Sequence, residues 1–270
     1  GSRGLGDVYK RQGITASMLN LFLIDKRKFF ERYILKINDE SIEEIAKANT
    51  LGNIVHDTIE ELYTPLINKN LNIKELERIK DNIKNIVLKK AKEYINKKSL
   101  ERGKNIIISN TAVNYVKKLI NRDIKLCKNG DKIKVLFVEK KFTSKIVSEG
   151  REIKIRGKID RIDLYNGDVR LVDYKTGKLI EKNKINIKSV KEIKNENGIY
   201  ALQLLFYAIA VKKDYKENIY GEIVSSRDSL DHSKVLHIEG NKYLNKSTID
   251  LGKKYICLLY TSDAADEVVS

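Results

Sequence analysis

Cysteine is nearly absent: Cys127 and Cys257 are the only two in 270 residues. Two thiols cannot build a disulfide framework, so a reducing, cytoplasmic setting is expected. Proline occurs once, at Pro65, and there it ends or kinks a helix. No apolar run approaches the ~20 residues of a membrane span, and no signal peptide is recognisable. Internal repeats are missing as well. Acidic residues are the scarcer charge, 37 against 53 basic, giving a net +16 and a pI near 9.5. Such a balance suits an acidic polymer as partner, nucleic acid ahead of a membrane surface.

The two ends stand apart from the rest. SRGLGDVYKRQ (2–12) and CLLYTSDAADE (257–267) resemble in-frame translations of the adapter ends used in transposon-based DNA library preparation. The expected division is non-native sequence at 1–12 and 257–270 around one domain at 13–256, itself cut short at its C-terminus. Setting the ends aside leaves the basic excess intact. A core of that length can bury one good hydrophobic centre.

The first half reads as helices. Residues 14–35 carry apolar side chains three and four apart behind Thr15 or Ser17 as N-cap. A second helix covers 51–63, a long amphipathic one 72–95, and a fourth starts at Ser109 or Asn110 and stops near Gly130. The period then changes to two, predicting strands at 132–142, 151–165 and 168–177. Residues 198–211 are apolar almost all round and read as a buried helix, followed by strands near 218–227 and 233–240. The order predicts an α+β or mixed α/β core with a helical flank.

The hairpin at 156–178, RGKIDRIDLYNGDVRLVDYKTGK, carries the chemistry. Asn166-Gly167 is a strong type I′ turn signal, because both central residues need positive φ. That turn sets Tyr165 opposite Asp168, Asp163 opposite Arg170, Asp160 opposite Asp173 and Lys158 opposite Lys175. Strand alternation then places Ile162, Leu164, Val169 and Leu171 on one face, with Asp160, Asp173 and Lys175 on the same face at the open end. Directly opposed like charges destabilise a sheet, so two acids there call for a cation. A divalent metal suffices, and Asp carboxylates are hard oxygen ligands of the kind Mg²⁺ prefers. Lys175 could then orient or deprotonate water, or stabilise charge on a phosphate. The other reading is an exposed hairpin end with solvated charges. Asp163 lies on the opposite face, where pairing with Arg170 is its expected role.

At these residues the chain resembles the PD-(D/E)XK nuclease superfamily, in particular its RecB-like branch and AddB-type C-terminal nuclease domains. GKIDRID and LVDYKTG fit that branch's pattern of a G-x-I-D-R-x-D segment followed by V-D-Y-K-T-G. In family order, ASMLNLFLIDKRKFFERYIL resembles the opening helix, LGNIVHDTIEEL the G-x-x-x-H helix and QLLFY the Q-x-x-x-Y helix. The resemblance implies a restriction-endonuclease-like core: a central mixed sheet flanked by helices, with an N-terminal helical region. It also implies a Mg²⁺- or Mn²⁺-dependent deoxyribonuclease, an exonuclease of DNA recombination and repair, with DNA and a helicase subunit or fused helicase region as partners. His56, Asp160, Asp173 and the Tyr174 carbonyl would be metal ligands, and Lys175 the catalytic lysine.

Gln203 and Tyr207 would bracket the site or the DNA. Four residues apart on an apolar helix, they face either a polar site or a core hydrogen bond. A lone helical histidine such as His56 is, on its own, more often structural than a ligand. Glu139 matches an acid found in the family and is expected behind the ligands or as a cross-strand partner. Asp25 stands where an iron–sulfur cysteine would fall, so no cluster is expected, and Cys127 reads as a buried small residue. The run Lys26, Arg27, Lys28 and Arg32 beside Phe29, Phe30 and Tyr33 reads either as a nucleic-acid contact or as a solvated face over core aromatics. The competing functions are a catalytically silent DNA-binding module of the same fold and a stand-alone exonuclease of the CRISPR-adaptation kind.

Overall fold

Five of the period-two segments pair into one mixed sheet, ordered β1-β2-β3-β5-β6. The strands are β1 (Ile133–Ser148), β2 (Arg151–Tyr165), β3 (Asp168–Lys175), β5 (Ile219–Ser225) and β6 (Ser233–Val235). β4 (Asn186–Ile187) and β7 (His237–Ile238) form a separate parallel pair. Neighbours are antiparallel except β3 and β5. This computed structural model describes residues 13–36, 43–95, 104–148, 150–179, 185–189, 192–193, 198–227 and 233–266. No helix among them is long and apolar enough to cross a membrane.

The helices depart from expectation at their starts and at two interior breaks. Thr15, not Ser17, caps α1 (Ala16–Ile24) by accepting the Met18 N–H. Asp25 is extended and ends α1; its carboxylate then accepts the Lys28 N–H and starts α2 (Lys26–Phe29), which runs into a π-helical turn. So 14–35 is not one helix. α3 (Glu43–Tyr63) begins well before residue 51 and gives way to a 3₁₀ turn holding Pro65. The stretch 72–95 divides at Asn82 into α4 (Ile73–Asp81) and α5 (Ile83–Tyr94), Asn72 capping the first. α6 (Lys104–Lys128) starts upstream of Ser109, which lies buried in mid-helix, and Gly130 follows its end with a φ of 89°. α7 (Ile199–Val211) is buried along most of its length, as its composition demands. α8 (Lys246–Asp266) passes through residue 256 without a break.

Two cores sandwich the sheet. Ile162, Val169 and Leu171 pack with α1, α7 and α8 on one side. Val172, Tyr174 and Val224 pack with α3 to α6 on the other. A Cβ on Gly221 would meet the Leu204 side chain at 2.9–3.0 Å, so glycine in β5 lets α7 seat closely on the sheet.

Asn166 and Gly167 have φ of 53° and 98°, as the tight turn needs. Register follows from it, Tyr165↔Asp168 through Arg161↔Val172. There the ladder stops. Asp160 Oδ2 takes the Tyr174 N–H at 2.7 Å, a carboxylate standing where a backbone carbonyl would. The expected oppositions of Asp160 with Asp173 and of Lys158 with Lys175 therefore do not form.

The β1–β2 ribbon, longer than expected, also turns over midway. Near the turn Ile162 and Leu164 face α7, while Arg161 and Asp163 face the α3–α6 layer. Past Asp160 the order inverts, and Ile159, Ile155 and Ile153 join Phe142 and Ile146 in the α7-side core. The inversion coincides with a register shift between Val135 and Phe137 and a φ of 49° at Glu139. Bulges of this kind re-aim side chains.

Under the α3–α6 layer lies a buried charge network. Arg170 grips Asp163 with two hydrogen bonds of 2.9 Å, and its Nη1 lies 3.1 Å from Glu222. Arg161 reaches Asp163 at 2.7 Å and Asp123 at 2.6 Å, and Tyr63 donates to Asp123. Arg122 closes on Glu222 from the rim. Burial would raise the Asp163 pKa, but Arg170 and Arg161 hold it below the ordinary carboxylate value. The pair expected from strand parity is thus one link of a larger chain.

Candidate active site

Three elements bring carboxylates and an imidazole together where the β2–β3 ladder opens. His56, from α3, has Nδ1 2.9 Å from Glu139 Oε1 and 3.5 Å from Asp160 Oδ1. Glu139 can turn to it because its backbone is left-handed in mid-strand, a conformation few non-glycine residues adopt. The Lys158 ammonium lies against the other Glu139 oxygen. Ligand atoms of His56, Glu139 and Asp160 all fall within 4.8 Å of one another.

Asp173 stands beside this group within a ring of polar contacts. The Tyr207 hydroxyl donates to its Oδ1 at 3.0 Å, and Lys175 Nζ is 2.7 Å from its Oδ2. Lys175 also donates to Gln203 Oε1 at 3.0 Å, and Gln203 Nε2 donates to the Tyr207 hydroxyl at 2.7 Å. Gln203 and Tyr207 therefore face the polar group rather than a separate core bond. Tyr174, expected to contribute a carbonyl, touches the group through its N–H on Asp160. A polar cleft of about 420 Å³ adjoins, lined by Asn49, Gly52, Asn53, His56, Lys175, Thr176 and Tyr200 among others.

The electrostatics follow from burial and crowding. Burial, opposed by His56 and reinforced by the Asp173 and Glu139 charges, pushes the Asp160 pKa up to about 7. Burial works against a charged His56, yet Asp160 and Glu139 raise its pKa to about 9. Glu139 is pushed up by burial but held below the ordinary value by His56 and Lys158. Burial works against a charged Lys175, yet Asp173 and Asp160 raise its pKa and favour the ammonium.

One imidazole and clustered carboxylates are a donor set for a divalent cation. Glu139 Oε2 and Asp173 Oδ2 are buried without an aligned hydrogen-bond donor; the ammonium beside each makes close ionic contact only. Both oxygens have lone pairs left for an ion. The residues present fit a divalent metal, with His56, Glu139 and Asp160 as the tightest trio.

In the sequence Glu139 reads as lying behind the ligands, and Lys158 has no expected part. A signal for the first existed: VLFV, residues 135–138, breaks the alternation just before Glu139, as a bulge does. Outside the site, Phe29 is buried, Phe30 is exposed and Arg27 pairs with Glu31 at 2.8 Å. Cys127 is half-buried, its Sγ 3.8 Å from the Leu71 carbonyl.

Removing the Tyr207 hydroxyl strips Asp173 of the hydrogen-bond donor at its Oδ1. Tyr207→Phe is expected to lower metal affinity or turnover ~10–100-fold, as removal of an outer partner does, with an unchanged circular dichroism spectrum. Full activity in that variant would separate Tyr207 from the site.

Among curated proteins none matches the chain. A family model for the PD-(D/E)XK nuclease superfamily matches residues 14–235, a span that holds His56, Glu139, Asp160, Asp173, Lys175, Gln203 and Tyr207. With the mixed sheet, its flanking helices and this cluster where the β2–β3 ladder opens, the chain belongs to the PD-(D/E)XK nuclease superfamily.

Proposed function

We propose that the chain is a Mg²⁺- or Mn²⁺-dependent deoxyribonuclease of the RecB-like, AddB-type branch, working as an exonuclease beside a helicase in DNA recombination and repair. The observation that carries the reading is the Lys175–Asp173 pair, set beside the His56, Glu139 and Asp160 group. His56, Glu139 and Asp160 would hold the cation, with Asp173 adjoining. A cation bound there supplies charge that polarises a phosphoryl oxygen and acidifies water. Lys175 presents a fixed ammonium to the cleft, where it stabilises charge gathering on phosphate oxygens. Gln203 and Tyr207 fix the directions of that ammonium and of the Asp173 carboxylate, which holds the group in place before a substrate arrives. Tyr200, its ring 5.4 Å from Lys175 Nζ, lines the same cleft.

The test is cleavage of end-labelled linear single- and double-stranded DNA in Mg²⁺, in Mn²⁺ and in EDTA. Metal-dependent degradation is expected, with early release of label from one end. A folded chain that binds DNA and cuts it in neither metal would sink the enzyme reading in favour of a binding module.

A further inference from the structure

The outer half of the β1–β2 ribbon has an unusual exposed face. Its other face is spent on Phe142, Ile146, Ile153, Ile155 and Ile159, all in the core or packed on it. The exposed face carries, rung by rung, Lys141 opposite Lys158, Thr143 opposite Arg156 and Lys145 opposite Lys154. Lys141, Thr143, Lys145, Arg156 and Lys158 are exposed, Lys154 half-buried. Directly opposed like charges weaken an antiparallel pair, so two Lys–Lys rungs do nothing for the ribbon. The carboxylates on this face lie at its ends: Glu152 pairs with Lys145 at 2.8 Å, and Glu139 takes Lys158. Through Lys158 the cationic stripe runs straight into the His56–Glu139–Asp160 group.

We infer that this face is a track for the phosphate backbone of one DNA strand, delivering it to the site. The inference rests on the nuclease reading above and adds the substrate's path to it. Rungs two residues apart repeat every ~6.8 Å, about twice the ~3.4 Å axial rise per phosphate of a strand. Cations on successive rungs can therefore keep pace with a backbone. Nothing on the face offers a pattern for reading bases, so the contact is indifferent to sequence.

The test compares two triple variants, each with three positive charges removed. One removes the ribbon cations outside the metal group, Lys141→Gln, Lys145→Gln and Arg156→Gln. The other removes Lys74, Lys84 and Lys92, exposed on α4 and α5, each to Gln. Binding of a labelled single-stranded 20-mer is measured in EDTA from 50 to 200 mM NaCl, and cleavage is measured in metal. The ribbon variant is expected to bind about 10-fold or more weakly at low salt. Its log–log salt slope should be shallower by about 0.7 for each phosphate it no longer neutralises, with KM raised and kcat within about twofold. The control variant should stay near the parent. Lys141→Gln alone is expected to give about a third of the slope change without lowering Tm, since it relieves an opposed pair. If both triples weaken binding equally, net charge is the cause and the ribbon assignment is overturned, while a parent that cleaves keeps the nuclease reading intact. A parent that neither binds nor cleaves removes both.

Discussion

Lys175→Ala is expected to lower DNA cleavage about 10²–10³-fold, the range seen when one preorganised charge or donor is taken from an active site. The fold should be retained with some loss of Tm, because Asp173 is left buried with its ammonium removed while the Tyr207 hydroxyl still donates to it. Lys175→Arg is not expected to restore activity, since a planar guanidinium cannot replace a compact ammonium between those two partners. Asp173→Asn should fall at least as far, because it removes both the anchor of Lys175 and an oxygen open to the ion. Metal dependence separates the roles. Raising Mn²⁺ should partly rescue Glu139→Gln, which holds the metal more weakly, and should not rescue Lys175→Ala. Rescue of Lys175→Ala by metal alone would contradict the electrostatic role given to the ammonium.

The largest expected drop in stability lies on the other face of the sheet. Arg170→Ala leaves Asp163 and Glu222 buried with a partner removed, and breaking a buried pair in this way costs about 3–5 kcal/mol. For a chain of this size that is a fall in Tm of roughly 6–20 °C. Arg27→Ala, which breaks an exposed, solvent-screened pair with Glu31, should leave Tm close to that of the parent. Acid should close the gap between parent and Arg170→Ala. The folded Asp163 pKa is depressed, so its stabilising contribution is fully present above the ordinary aspartate value near ~3.9 and disappears as pH falls through the folded value. The Tm difference should thus hold between pH 8 and 5 and narrow below about 4. Equal destabilisation by Arg170→Ala and Arg27→Ala at neutral pH would show that the network does not hold the sheet.

Much of this architecture is legible in the chain because the hairpin is locally determined. Asn166-Gly167 fixes the turn, the turn fixes the register, and parity assigns Ile162 and Asp163 to opposite faces; all three are found. Two of the failures share one cause: a side chain substituting for backbone. Asp160 takes the Tyr174 N–H and ends the ladder, and Asp25 caps a new helix where apolar spacing alone predicts continuity. Periodicity counts residues and cannot see such exchanges. Nor does it contain the turnover of the ribbon at Glu139, which explains why Ile159 and Ile162 reach the same core.

The strain at Glu139 has a consequence for anyone wishing to toughen this protein. A bulky residue held at a φ of 49° in mid-strand carries a conformational cost of about 1–3 kcal/mol, which glycine or asparagine would relieve. Selection for heat resistance alone would therefore tend to discard the glutamate that faces His56. The survivors of such a screen would be sturdier and enzymatically dull, and screening has to reward cutting as well as endurance.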